Sequence, residues 1–176
     1  MNGLVNKFTN IVTPDYQNFA LQADGLAFNT APFTATWTMP IHPDSTKFTL
    51  DANVKNFNLT ELNQLILPMA PVYVKSGQVQ NLDFYTEADR LGGLSTMALA
   101  YDSLYVVITK GVDDKTPKTF VSRLVNSLVL DKQNNPDKKF RIAQDSVVRN
   151  PYKSNFNYFW QLMQPPMIES VGVSKK

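Results

Sequence analysis

The chain has 176 residues, no cysteine, a single histidine, and 17 Lys+Arg against 15 Asp+Glu, for a net charge of +2. That length fits one domain or a piece of a larger chain, and it can bury a real core. Without cysteine there is no disulfide, thiolate catalysis or cysteine-ligated metal, and the near-neutral charge argues against a dedicated nucleic-acid binder.

The opening residues, Met1-Asn2-Gly3-Leu4-Val5-Asn6-Lys7, lack the basic stretch and long apolar run of a signal peptide. No run approaches the roughly 18 apolar residues of a membrane span. Strand periodicity begins with Phe33, Ala35, Trp37 and Met39, which alternate with Thr34, Thr36 and Thr38. Pro40 and Pro43 end this strand. The lone His42 lies between them in Pro40-Ile41-His42-Pro43-Asp44, a context that favours a turn over a catalytic role. It leaves one candidate base for a Ser-His-Asp triad and makes a multi-histidine zinc site impossible.

Phe48, Leu50, Ala52 and Val54 alternate with Thr49, Asp51, Asn53 and Lys55 and predict a second half-buried strand. A short helix follows: Asn58 is a good N-cap, Glu61 completes a capping box, and Phe57 with Leu62 would form the hydrophobic staple. Leu62, Leu65 and Ile66 share its apolar face, and Pro68 stops it. Val72-Tyr73-Val74 starts another strand, with Gly77 marking a bulge or bend. Val79 to Thr86, Ser95 to Tyr101 and Leu104 to Thr109 extend a meander. Residues 87–93 and Asp102-Ser103 read as hairpin connections, and Gly92-Gly93 as a turn without the Lys-Ser/Thr of a phosphate loop.

The last third changes character. Residues 1–110 carry 6 Lys/Arg and 9 Asp/Glu, whereas residues 111–176 carry 11 and 6, so the charge goes from −3 to +5. Lys110 to Lys118 reads as a polar loop, Thr119 to Leu130 as a mixed apolar segment, Asn134-Asn135-Pro136-Asp137 as a turn, and Ile142 to Val148 as a strand. Phe156, Phe159, Trp160 and Met163, at i, i+3, i+4 and i+7, predict an amphipathic helix with an aromatic stripe. Pro165-Pro166 is expected to break it, with one more turn from Met167 ending at Gly172. The stripe fits a helix that caps the sheet, and it also fits an interface for a membrane or a partner. An apolar sheet face must likewise be covered, or it can hold apolar ligands such as acyl chains.

Several stretches together resemble AsmA-like and TamB-like bacterial envelope proteins. Phe48 to Asn63 is similar to a strand followed by that group's "L-T-x-L-N" element, here Leu59-Thr60-Glu61-Leu62-Asn63. Pro68 to Val79 resembles its "P-x-x-x-V-x-I-x-S-G-x-L" segment, Tyr101-Asp102-Ser103-Leu104-Tyr105-Val106 its "Y-x-D/S-L-x-V" step, and Lys153 to Trp160 its closing "K-S-x-F-N-Y-x-W". Ser170-Val171-Gly172 also fits a family ending. The match runs in order over roughly residues 30–176, and it rests on the ordered set, since no single motif is strong. The chain departs from the family in two ways: it shows no N-terminal membrane anchor or upstream repeats, and Pro165-Pro166 stands where a glycine-containing helix turn is more usual.

The resemblance implies the C-terminal fragment of a larger periplasmic protein anchored in the inner membrane. Such proteins are thought to support outer-membrane assembly or inter-membrane phospholipid transport through a β-sheet trough. The expected fold is a single β-rich α+β domain over 1–176. It would have a curved, trough-like antiparallel sheet, strand-rich in 1–110, and a closing segment in 111–176 with a C-terminal amphipathic helix. Phe33, Ala35, Trp37, Phe48, Leu50, Ala52 and Val54 are the candidate acyl-chain contacts. Phe156, Phe159, Trp160 and Met163 are the candidate interface, facing the upstream region of the chain or a partner. No cofactor, metal set, catalytic residue or nucleic-acid partner is expected. An enzyme would need converging carboxylates, for which Asp83, Glu87 and Asp102 are the candidates.

Overall fold

A computed structural model describes residues 3–12, 18–41, 45–67, 72–108 and 130–173. Within these the chain is a β-rich α+β fold, a curved antiparallel sheet with its main helix at the C-terminal end. The strands are β1 (Gly3–Val12), β2 (Asn18–Ala27), β3 (Ala31–Pro40), β4 (Phe48–Asn58), β5 (Val72–Ala88), β6 (Gly92–Ile108) and β7 (Ile142–Val148). They lie in sheet order β1-β2-β3-β4-β5-β6-β7, so each pairs with its sequence neighbour in an up-and-down meander. His42, Pro43, Pro68 and the segment 109–129, which holds the expected polar loop and most of the mixed apolar segment, lie outside the described residues.

Antiparallel partners put their side chains on the same face. Trp37 pairs with Leu21 and Leu50, Ala35 with Ala23 and Ala52, and Phe33 with Gly25 and Val54. The rows continue from Leu50 to Thr86, Ala52 to Phe84 and Val54 to Leu82, then on to Ser95, Met97 and Leu99. One face of the sheet is thus apolar from β2 to β6, apart from buried Thr86 and Ser95. The opposite face carries Thr34, Thr36, Asp51, Asn53, Lys55 and Asp83. Two N-terminal strands, β1 and β2, were not expected. The inward row of β2 is Phe19, Leu21, Ala23, Gly25 and Ala27, whose small residues weaken the alternation. The β2–β3 turn places Phe28 (φ 53°) and Asn29 (φ 65°) in the left-handed region, and the Thr30 N–H donates to the Ala27 carbonyl at 3.1 Å. That is a type I′ turn, the hairpin type whose twist matches the sheet.

The expected Asp102-Ser103 hairpin is instead an irregularity inside one continuous strand. β5 and β6 are each 17 residues long and pair along their whole length, with register shifts around Ser76 and Gln78. Gly77 has φ +147°, and a Cβ there would stand 2.7 Å from Leu59 Cδ1, so the local bend requires glycine. Opposite it, Ser103 is left-handed (φ 54°), and the Ser76 hydroxyl donates to its carbonyl at 2.8 Å. The hairpin between β5 and β6 is at Asp89-Arg90-Leu91. There the Asp89 carboxylate accepts from the N–H groups of Leu91 (2.6 Å) and Gly92 (3.1 Å). These two bonds hold its pKa below the usual carboxylate value.

Asn58 caps as expected, its side chain accepting from Thr60 N at 3.0 Å, but the helix is brief: a 3-10 turn (Leu59–Leu62) and α1 (Asn63–Ile66). Buried Asn63 fixes it to the sheet, donating to the Val74 carbonyl and accepting from the Val74 N–H, both at 2.8 Å.

The second helix, α2 (Asn155–Ser170), overturns the expected break, because it runs straight through Pro165 and Pro166. A proline inside a helix costs on the order of 3 kcal/mol. Here that cost is offset by packing, since Leu162, Pro166, Ile168 and Ser170 are all buried. The end is also closed: Gly172 N–H donates to Glu169 O (3.0 Å) and Val173 N–H to Ile168 O (3.3 Å), a Schellman pattern with Gly172 at φ +98°.

Candidate functional site

The helix packs on only part of the apolar face. α2 contacts β6 and β7, and Leu162 is so close to Gly93 that a Cβ there would stand 2.9 Å from its Cδ2. Beside it, Phe33, Ala35, Trp37, Leu50, Ala52 and Val54 form a half-buried apolar floor on β3 and β4. Partly buried Phe159, Met163 and Met167 of α2 flank that floor. Four residues of strand separate Phe33 from Trp37, a floor length of about 13 Å.

An aromatic cluster closes one end. Trp37 is edge-on to Phe48 (5.9 Å) and Phe159 (5.8 Å), and Phe48 meets Phe159 (5.8 Å) and Tyr158 (6.3 Å). The buried Trp37 indole N–H has no hydrogen-bond partner among the described residues. Toward the other end lies a wholly apolar cavity of about 100 Å3, lined among others by Leu82, Leu99, Leu104, Met167 and Val171. All seven residues expected to contact acyl chains therefore share one face, six along the floor and Phe48 at its aromatic end.

The aromatic stripe is placed less neatly. The buried side of α2 is Tyr158, Leu162 and Pro166, with Phe159 and Met163 at its margin. Trp160 is half-buried, while Phe156 is 69% exposed and faces away. The buried side of α2 is centred about one residue position, or 100°, around the helix from the stripe.

A polar row absent from the sequence expectations lies under α2, where Thr86, Ser95 and Asp145 stand opposite one another on the inner face. Ser95 donates to Thr86 Oγ1 (2.9 Å), which donates to the Leu94 carbonyl (3.0 Å). The alternation that places Phe84 and Met97 inward also puts Thr86 and Ser95 there, so the signal was present.

Asp83, Glu87 and Asp102 do not converge. Asp83 and Glu87 lie on the polar face of β5, about 13 Å apart along the strand. Asp83 is held by Asn53 (2.6 Å) and Asn81 (2.6 Å), and Asp102 by Gln80 (2.6 Å). An open recess of about 970 Å3 beside residues 131–142 holds the Asp131–Arg141 ion pair at 2.8 Å. Among the described residues no group of three or more His, Asp or Glu could hold a metal ion, and no helix is long and apolar enough to cross a membrane.

Comparison of the chain with protein-family models, with curated proteins and with solved structures finds no match.

Proposed function

We propose that this chain is a non-enzymatic module of an AsmA-like envelope protein, periplasmic and anchored to the inner membrane through the rest of its chain. In this role it holds phospholipid acyl chains along its sheet during inter-membrane transport or outer-membrane assembly. One observation carries the reading: the apolar floor of β3 and β4 is left only half-buried beside α2 and leads toward an all-apolar cavity. Transfer of apolar surface from water onto such a floor is favourable by about 25 cal/mol per Å2, while the threonine-rich opposite face stays wetted. Phe33, Ala35, Trp37, Leu50, Ala52 and Val54 would line the chain, with Phe48 at its aromatic end.

Native purification followed by lipid extraction and mass spectrometry tests the reading. Co-purifying phospholipid, lost when Ala35 and Ala52 are both replaced by glutamate in a variant that still folds, supports it. Repeated absence of bound lipid removes it.

The size of the cavity favours a second reading. At about 100 Å3 it falls below the roughly 300–1,000 Å3 of ordinary ligand pockets. The domain would then be a structural or protein-interaction module of the envelope with a filled core and no lipid ligand.

A further inference from the structure

We infer that the end of the sheet bearing the β5–β6 turn docks on an anionic lipid bilayer. Four large apolar side chains stand out into solvent there: Leu91 (68% exposed), Val148 (87%), Tyr152 (94%) and Phe156 (69%). They come from three segments tied together by the backbone. Arg149 N–H donates to the Leu91 carbonyl (2.8 Å), Val148 pairs with Gly92, and the Arg149 guanidinium reaches Asn155 Oδ1 (2.7 Å). The Tyr158 hydroxyl donates to the Asp89 carbonyl (2.9 Å) and locks the helix start to the turn.

Cations surround these side chains. Arg90 and Lys153 are exposed, and Arg149 lies over the Tyr158 ring at 4.9 Å. Exposed Lys47 directly precedes Phe48, whose partner in β5 is Ala88, so it stands at the same end. Asp89 in the turn is engaged by two backbone N–H groups. Glu87 points from the polar face, one residue pair below the turn.

Apolar and aromatic side chains that insert, ringed by Lys and Arg that meet headgroups, form the chemistry of an interfacial membrane site. An apolar patch alone would suit a protein partner equally well. The choice of occupant rests on charge: four cations against two carboxylates, one of them internally bonded Asp89 and the other Glu87 on the polar face, complement an anionic surface. The patch is also preformed, because the Asp89 turn, the Ser154 cap (accepting from Asn157 N, 3.2 Å) and the Arg149–Tyr158 contact all fix it. The inference stands without the acyl-chain reading. If both hold, the Trp37–Phe48–Phe159 end of the floor lies just behind the membrane-facing surface.

Vesicle sedimentation tests it, using phosphatidylglycerol and phosphatidylcholine in equal parts beside phosphatidylcholine alone. The protein is expected to sediment with the anionic vesicles and to be released by salt. Tyr152→Ser with Phe156→Ser should lower partitioning at least about tenfold. Arg90→Glu with Lys153→Glu should lower it by more than the roughly fivefold per residue expected for losing a cation. Tyr105→Ser, at the far end of the sheet, should change nothing, and circular dichroism should show every variant folded. The inference is overturned if the protein does not sediment with anionic vesicles, if neutral vesicles bind it as well, or if the patch variants bind like the parent. It is also overturned if the variants only abolish self-association seen by analytical ultracentrifugation.

Discussion

Replacing Leu162 with alanine probes the packing of α2 on the sheet. Leu162 is fully buried between the helix and the sheet, and it covers the backbone at Gly93, which has no side chain of its own to fill a void. Leucine-to-alanine changes in cores cost about 2–5 kcal/mol, and the cost rises when the site cannot collapse. The rigid sheet under Gly93 places Leu162→Ala in the upper half of that range, about 4 kcal/mol. For a chain of this size that is a fall in melting temperature of roughly 8–16 °C. Urea unfolding followed by circular dichroism gives the free energy, and an unchanged m-value assigns the loss to the native state. Phe156→Ala is the control, since an exposed helix position away from any special contact should move stability by no more than about 0.5 kcal/mol. A loss below about 1 kcal/mol for Leu162→Ala, or a larger loss for Phe156→Ala, would refute this placement of the helix.

Two further substitutions test other parts of the fold. Asn63→Ala strips both partners from the buried Val74 peptide group and should cost about 2–3 kcal/mol in thermal or urea unfolding. A neutral result would mean that water reaches Val74. Tyr101 is fully buried, its hydroxyl donating to the Asp131 carbonyl at 3.0 Å, and burial, with the nearby Asp131 charge, raises its pKa. Its pKa is higher folded than unfolded, so its contribution is fully present below about pH 10 and is lost as pH rises further. Stability should then fall by up to about 1.4 kcal/mol per pH unit above that point, and Tyr101→Phe should remove that part of the slope. An identical slope in both proteins would contradict the burial argument.

Where one face is buried and the other wet, the amino-acid pattern was nearly sufficient. β3 and β4 were legible from alternation, and the Asn58 cap and the Gly77 bend from residue chemistry alone. Legibility failed where local rules were outweighed by tertiary contacts. Pro165 and Pro166 forbid an isolated helix, but Leu162, Ile168 and the Gly172 closure hold α2 together across them. Asp102-Ser103 has the composition of a hairpin turn, yet β5 supplies pairing partners on both sides of it and the strand continues. β2 was invisible because its inward row is rich in alanine and glycine, and only its neighbours make that row a face. The candidate floor was found because period-two spacing fixes which residues face together. The surface patch at the β5–β6 turn was not, since Leu91, Val148 and Tyr152 meet only through the pairing of β6 with β7.

The central claim, an acyl chain lying along β3 and β4, is tested most directly by photolabelling. A phospholipid with a diazirine in its acyl chain is bound and irradiated, and the labelled peptides are mapped by mass spectrometry. The account predicts labels on the segments holding Phe33, Ala35 and Trp37 and holding Leu50, Ala52 and Val54, competed away by unlabelled phospholipid. Labels confined to the polar face around Thr34, Asp51 and Lys55, or scattered labels that unlabelled lipid does not displace, would contradict it.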